Sequence, residues 1–289
     1  MPAYESRTVP IETVDGAQLN GTFYRAKNGG ADQATLLYFH GGGLIFGHRE
    51  DLPQVYLDML TDNGYNVLAL DYLLAPESKL PAIMRSVQRG IEWFLANSAD
   101  QLHVDPSRYY LMGRSAGAYL ALYHAVHAPV RPQGVIALYG YYTLHEASFS
   151  VPNRHFLSYP QVSDTMMQSL ISQQPLATSP SDQRYLLYLA VRQRGNWIPF
   201  ISNDPADAST YALAKEQLAA LPPSFLAAAT GDPDVPVRQS KMLHKFIPNS
   251  ELHLVESAEH DFDRTQIQEF GTDLYEKLIA WLNTRSSNP

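Results

Sequence analysis

The stretch Leu111–Leu122, LMGRSAGAYLAL, runs from apolar residues through Gly-Arg-Ser-Ala-Gly into a helical pattern. It predicts a strand that turns abruptly into a helix, with Ser115 at the tip and Gly113 and Gly117 leaving space for a tight turn. With 17 glycines in the chain, a serine between two of them also arises by chance. Whether Ser115 is reactive depends on what else the chain supplies. Serine chemistry needs a base for the hydroxyl proton, an acid to orient that base, and donors for an oxyanion.

Working outward, short apolar runs recur at Ala34–His40, Tyr65–Tyr72, Arg108–Gly113, Gly134–Gly140, Ser224–Thr230 and Glu251–Ser257. Near-continuous apolar runs suit parallel strands covered on both faces. Amphipathic stretches at Leu52–Asn63, Ala82–Asn97, Ala116–Val126, Val237–Phe246 and Thr265–Asn283 lie between and after them. The alternation predicts an α/β fold with a mostly parallel sheet and helices on both faces. VPIETV and QLNGTFYR, flanking Asp15-Gly16, predict an antiparallel hairpin at the sheet edge. From about 141 to 208 no buried strand is evident, and Pro-punctuated helical pieces predict a small helical cap within one domain spanning 1–289. Its Phe156, Tyr159, Tyr185, Tyr188, Trp197 and Phe200 either line a pocket or pack the cap onto the sheet.

The groups that Ser115 needs occur in order, each after an expected strand. His40-Gly41-Gly42-Gly43 follows the first of these strands and precedes Leu44-Ile45-Phe46. Such a glycine run lets backbone N–H groups point into a cleft without Cβ interference, and no G-K-[ST] follows to make it a phosphate loop. GDPDVP offers Asp232 and Asp234; Asp232 lies nearer the strand end, and Asp234 is expected to serve a turn or helix cap. His260 follows the last strand. All three candidates, Ser115, Asp232 and His260, fall at one sheet edge, where open α/β sheets bind ligands.

Composition narrows the alternatives. The chain has 289 residues, 45% hydrophobic and 17% charged, enough for a substantial core. It has no cysteine, which excludes a cysteine nucleophile and thiolate metal sites. A net charge of −8 without a basic block argues against nucleic acid. No apolar run is long enough to span a membrane, and the N-terminus lacks a signal pattern, so a cytoplasmic location is expected. His124 and His127 stand three apart without the glutamate of an H-E-x-x-H pattern, so no metal site is expected. Arg114 is expected to brace a neighbouring loop, with recognition of an acidic substrate as the alternative its charge leaves open. Tyr139, Tyr141 and Tyr142 follow a strand, to line a pocket or join cap to core.

HGGG at His40–Gly43, DYLLAPE at Asp71–Glu77, GRSAG at Gly113–Gly117 and EHDF at Glu259–Phe262 together make the chain resemble the α/β-hydrolase superfamily. Within it, the chain is similar to the bacterial esterases of the hormone-sensitive-lipase type. The resemblance implies ester hydrolysis through a serine acyl-enzyme, with Gly41, Gly42 and Ala116 donating backbone N–H groups to the oxyanion. It also implies that Glu77 holds loops near the site, and it implies no cofactor. Two positions depart from the family pattern: Leu73 replaces the usual arginine of D-Y-R-L-A-P-E, and Ala118 stands where many members have glycine. Leu44, Ile45, Phe46 and Tyr141 are expected to line the substrate pocket. The expected substrate is a small or short-chain acyl ester. An amide or peptide substrate, a non-catalytic binding role and assembly as a homodimer stay open.

Overall fold

The computed structural model describes residues 5–27, 30, 32–179 and 181–286. Its strands are β1 (Ser6–Val14), β2 (Ala17–Tyr24), β3 (Thr35–Phe39), β4 (Asn66–Leu70), β5 (Tyr109–Arg114), β6 (Gly134–Leu138), β7 (Ser224–Ala229) and β8 (Ser250–Val255). They form one sheet in the order β1-β2-β4-β3-β5-β6-β7-β8. Strands β3 to β8 are mutually parallel where they pair, and β2 joins β4 antiparallel. The expected hairpin is β1–β2. Asp15 (φ 48°) and Gly16 (φ 91°) both take left-handed backbone, as a two-residue hairpin turn matched to strand twist requires.

The helices are α1 (Gln54–Asp62), α2 (Leu80–Leu102), α3 (Ala116–His127), α4 (Asp164–Leu170), α5 (Ser181–Arg194), α6 (Trp197–Ile201), α7 (Asp207–Thr210), α8 (Lys215–Ala219), α9 (Arg238–Phe246), α10 (Phe262–Thr265) and α11 (Thr272–Ser286). Strand side chains alternate between two cores. Leu37, Phe39, Leu68, Leu70 and Leu111 pack with α2 and α3 on one face. Leu36, Tyr38, Val67, Tyr110 and Met112 pack with α1 and α11 on the other. Both faces are covered, which is why these strands read as unbroken apolar runs rather than alternating ones.

Three elements differ from the sequence expectation. Helix α2 runs longer at both ends than Ala82–Asn97. Pro81 is accommodated in its first turn, where a missing N–H removes no helical bond, and left-handed His103 (φ 55°) ends it. The run at Glu251–Ser257 belongs to β8, which is an edge strand and not a buried one; Leu254 is exposed. The closing helix is broken into α10, a π turn at Ile267–Gly271, and α11. The break occurs where a Cβ on Gly271 would collide with the Tyr56 hydroxyl, which bonds the Asp263 carbonyl.

Between β6 and β7 the described chain is helical, comprising α4 to α8 and short 3-10 turns, with one isolated bridge from Ser179 to Gly47. It extends past the expected boundary at 208 to include α8. The insertion is tied down by Arg184 of α5. All five of its N–H donors are engaged: Ile45, Ala75 and Leu170 carbonyls at 2.8–2.9 Å, and both carboxylate oxygens of Glu77. Glu77 also accepts from the Ser172 N–H at 2.6 Å. Glu77 therefore fastens the insertion to the loop after β4, a specific form of the loop-holding role that the resemblance implies. Among the described residues, no helix is long and apolar enough to cross a membrane.

Candidate active site

The carboxyl ends of β3, β5, β6, β7 and β8 lie at one edge, and each feeds a site residue. Strand β5 ends at Arg114, and Ser115 follows with φ 53° and ψ −118° before α3 begins. A non-glycine residue in this region is strained by about 1–3 kcal/mol and persists only where its surroundings enforce it. Here they do. A Cβ on Gly113 would overlap the Gly117 carbonyl, and one on Gly117 would overlap the Phe39 carbonyl. The turn can form only because both positions are glycine, and it lifts the Ser115 hydroxyl off the sheet edge.

His260, after β8, brings Nε2 to 2.8 Å from Ser115 Oγ. Its Nδ1 lies 2.7 Å from Asp232 Oδ2. A carboxylate only accepts, so Nδ1 carries the proton, and in the neutral ring Nε2 is free to accept from the serine. Asp232 is itself held: its Oδ1 accepts the N–H groups of Asp234 and Val235 at 2.8 and 2.9 Å. Burial alone would lower the His260 imidazole, but the Asp232 carboxylate outweighs it, helped by Asp234 and Asp261, and the value is pushed up to about 9.

Asp234, expected in a turn or cap, does something else. Its side chain accepts from the Tyr188 hydroxyl at 2.8 Å and pairs with Arg192 at 3.0 Å, joining α5 to the Asp232 loop. Arg192 is buried among Phe149, Phe156, Tyr188 and Trp197, with its guanidinium 5.3–5.9 Å from each ring centre.

The glycine loop after β3 faces Ser115. Gly41 lies close enough that a Cβ there would approach the Ser115 Cβ at 3.4 Å. Gly42 has φ +100°, and a Cβ would overlap the Phe46 carbonyl, so this turn also demands glycine. The loop is pinned from both sides. Tyr72 places its hydroxyl 2.9 and 3.1 Å from the His40 and Gly41 carbonyls and stacks on the His40 ring, while Trp197 donates Nε1–H to the Gly43 carbonyl at 2.9 Å. Burial lowers His40 to about 4 and keeps it neutral, with its Nδ1 donating to the Gly41 carbonyl at 2.7 Å. Ala116, as the first residue of α3, has an N–H with no intrahelical acceptor, pointing out of the helix N-terminus.

A cavity of about 260 Å³ opens over Ser115 and His260. Gly41 to Gly43, Phe46, Phe156, Tyr159, Tyr185 and Tyr188 line it. Of the residues expected in the pocket, only Phe46 takes part. Leu44 and Ile45 are completely buried in the core, because left-handed Leu44 (φ 63°) turns that part of the loop inward. Tyr141 packs against Tyr119, Phe149 and Trp197 beneath the insertion and does not line the cavity. Trp197 and Phe200 likewise lie outside its lining. His124 is buried within α3, and His127 bonds the Tyr123 carbonyl at 2.8 Å.

A family model described as the alpha/beta hydrolase fold matches residues 36–264. The chain belongs to the α/β-hydrolase family. An acetyl esterase of Salmonella enteritidis PT4 is 27% identical to this α/β hydrolase over 247 residues, 84% of this chain and 68% of that one. The crystal structure of a Staphylococcus aureus Mu50 protein of unknown function is 33% identical, with a TM-score of 0.87 over 97% of this chain and 99% of that one. An α/β-hydrolase superfamily protein from Enterococcus faecalis is 30% identical, with a TM-score of 0.82 over 96% and 98%. Two parts of this hydrolase site escape the sequence reading, Tyr72 and the Tyr188–Asp234 contact, whereas Tyr139 lines the cavity, one of the two places expected for it. Tyr72 stood in view inside DYLLAPE. Tyr188 and Asp234 meet across 46 residues, and no local pattern announces that.

Proposed function

We propose that this α/β hydrolase is a serine carboxylesterase that cleaves small acyl esters through an acyl-enzyme. One observation carries the reading: Ser115 Oγ, the His260 ring and Asp232 form a continuous hydrogen-bonded line, at 2.8 and 2.7 Å, with Ser115 and His260 facing the cavity and Asp232 buried behind them. In this reading neutral His260 takes the Ser115 proton as Oγ attacks the ester carbonyl. Asp232 holds the ring in the correct tautomer and stabilises the imidazolium that forms. The N–H groups of Gly41, Gly42 and Ala116 receive the oxyanion, and each such donor is worth about 3–4 kcal/mol of barrier. His260 returns its proton to the departing alcohol. The same ring then activates water to release the acid and regenerate Ser115.

The cavity favours a short acyl group. Its volume, about 260 Å³, falls below the range typical of drug-sized ligand pockets. Similarity to acetyl esterases points the same way. The test is a series of p-nitrophenyl esters of rising acyl length, set against a matching anilide. We expect kcat/KM to be highest at the shortest chains and the anilide to be a far poorer substrate. A maximum at long chains would refute the small pocket, and anilide turnover equal to that of the ester would make this an amidase.

A further inference from the structure

Arg114 is one residue before Ser115, and its guanidinium is buried beneath the site. It donates from Nη2 to Asp263 Oδ1 at 2.8 Å and from Nε to the Tyr139 hydroxyl at 2.6 Å. Nη1 lies 3.5 Å from Asp51, which the Tyr38 hydroxyl also bonds. Tyr139 donates in turn to the same Asp263 oxygen at 2.7 Å. Asp263 is completely buried and lies three residues after His260. One ion pair thus joins the turn that carries the serine to the loop that carries the histidine.

Two further features separate this cluster from an ordinary buried ion pair. Tyr139 is a non-glycine residue at φ 43°, and this backbone sets its ring edge-on to His260, with ring centres 4.9 Å apart. Asp263 Oδ2 has no hydrogen-bond partner among the described residues. Strained backbone and an unsatisfied buried oxygen both oppose stability, and such costs concentrate where function holds them in place. Arg114 directs its three guanidinium nitrogens at Tyr139, Asp263 and Asp51 and borders the cavity beside Ser115.

We infer that Arg114 is a positioning residue: through Asp263 and Tyr139 it sets where the His260 ring sits against Ser115. The inference rests on the esterase reading for its kinetic consequence, though not for its geometry. A guanidinium can hold Asp263 and Tyr139 at once because its donors are fixed in a planar fork, which a lysine ammonium cannot copy.

The test uses Arg114→Lys and Tyr139→Phe, the second leaving the ion pair in place in case the first fails to fold. The resting protein is observed first, with no ester present, by the low-field proton NMR resonance of the His260 Nδ1–H bonded to Asp232. Both variants, folded by circular dichroism, should shift or lose that resonance. With p-nitrophenyl acetate, kcat should fall about 10- to 100-fold while KM changes by less than about twofold. An unchanged resonance and kcat in folded variants would overturn the inference, as would an activity loss that only tracks the unfolded fraction. A wild-type protein showing the resonance, with both variants losing it but no ester turned over, would sink the esterase reading and leave the positioning role standing.

Discussion

Ser115 is held in a backbone region that favours glycine, and its hydroxyl meets an imidazole whose proton affinity is raised. The strain belongs to the backbone, so Ser115→Ala keeps it and Ser115→Gly releases it. The glycine variant should be more stable than the alanine variant by about 1 kcal/mol in urea unfolding, with both inactive. Equal stabilities would mean that the turn is not strained at this residue. The raised His260 value has two consequences of opposite benefit. Only the neutral ring can accept the Ser115 proton, so kcat/KM should climb with pH along a limb whose midpoint lies above 6.5, toward 9. Protonated His260 is favoured by the fold, so its contribution to stability is complete below about 6.5 and is lost as pH rises through about 9. Asp232→Asn removes the main raising influence. Its rate profile should move to lower pH, with kcat down by about three to four orders of magnitude, and an unmoved profile would separate Asp232 from His260.

At the scale of elements, the site depends on loops pinned by distant partners. Glu77 and Arg184 are both nearly fully buried, and breaking such a pair by removing one member leaves an uncompensated charge. Glu77→Ala should therefore lower unfolding free energy by about 3–5 kcal/mol in urea titration. A loss below about 1 kcal/mol, as for an exposed pair, would contradict the fastening role. This contact also marks the limit of sequence reading. Strand ends, glycine turns and the order Ser115, Asp232, His260 were legible because each is a local pattern repeated at strand ends. Arg184 was not, because it meets Glu77 across 107 residues. Leu44 and Ile45 misled for a related reason: apolar residues beside a site serve a pocket or a core, and only the left-handed turn at Leu44 decides which.

Across the whole molecule, a sheet covered on both faces presents its carboxyl edge as the one place where loops from β3, β5, β6, β7 and β8 converge. Apolar runs made that sheet readable. The helical insertion was readable only as a region lacking strands, since its aromatics divide between cavity lining and packing by tertiary position alone. Ser115, His260, Asp232 and the glycine loop meet because the sheet order places their strands side by side. On the esterase reading, this convergence makes Ser115 a nucleophile. Reaction with diethyl p-nitrophenyl phosphate, read by intact mass and peptide mapping, tests it directly. One phosphoryl adduct per chain on Ser115, absent from Ser115→Ala, is the predicted result; no adduct, or one on another residue, would contradict it.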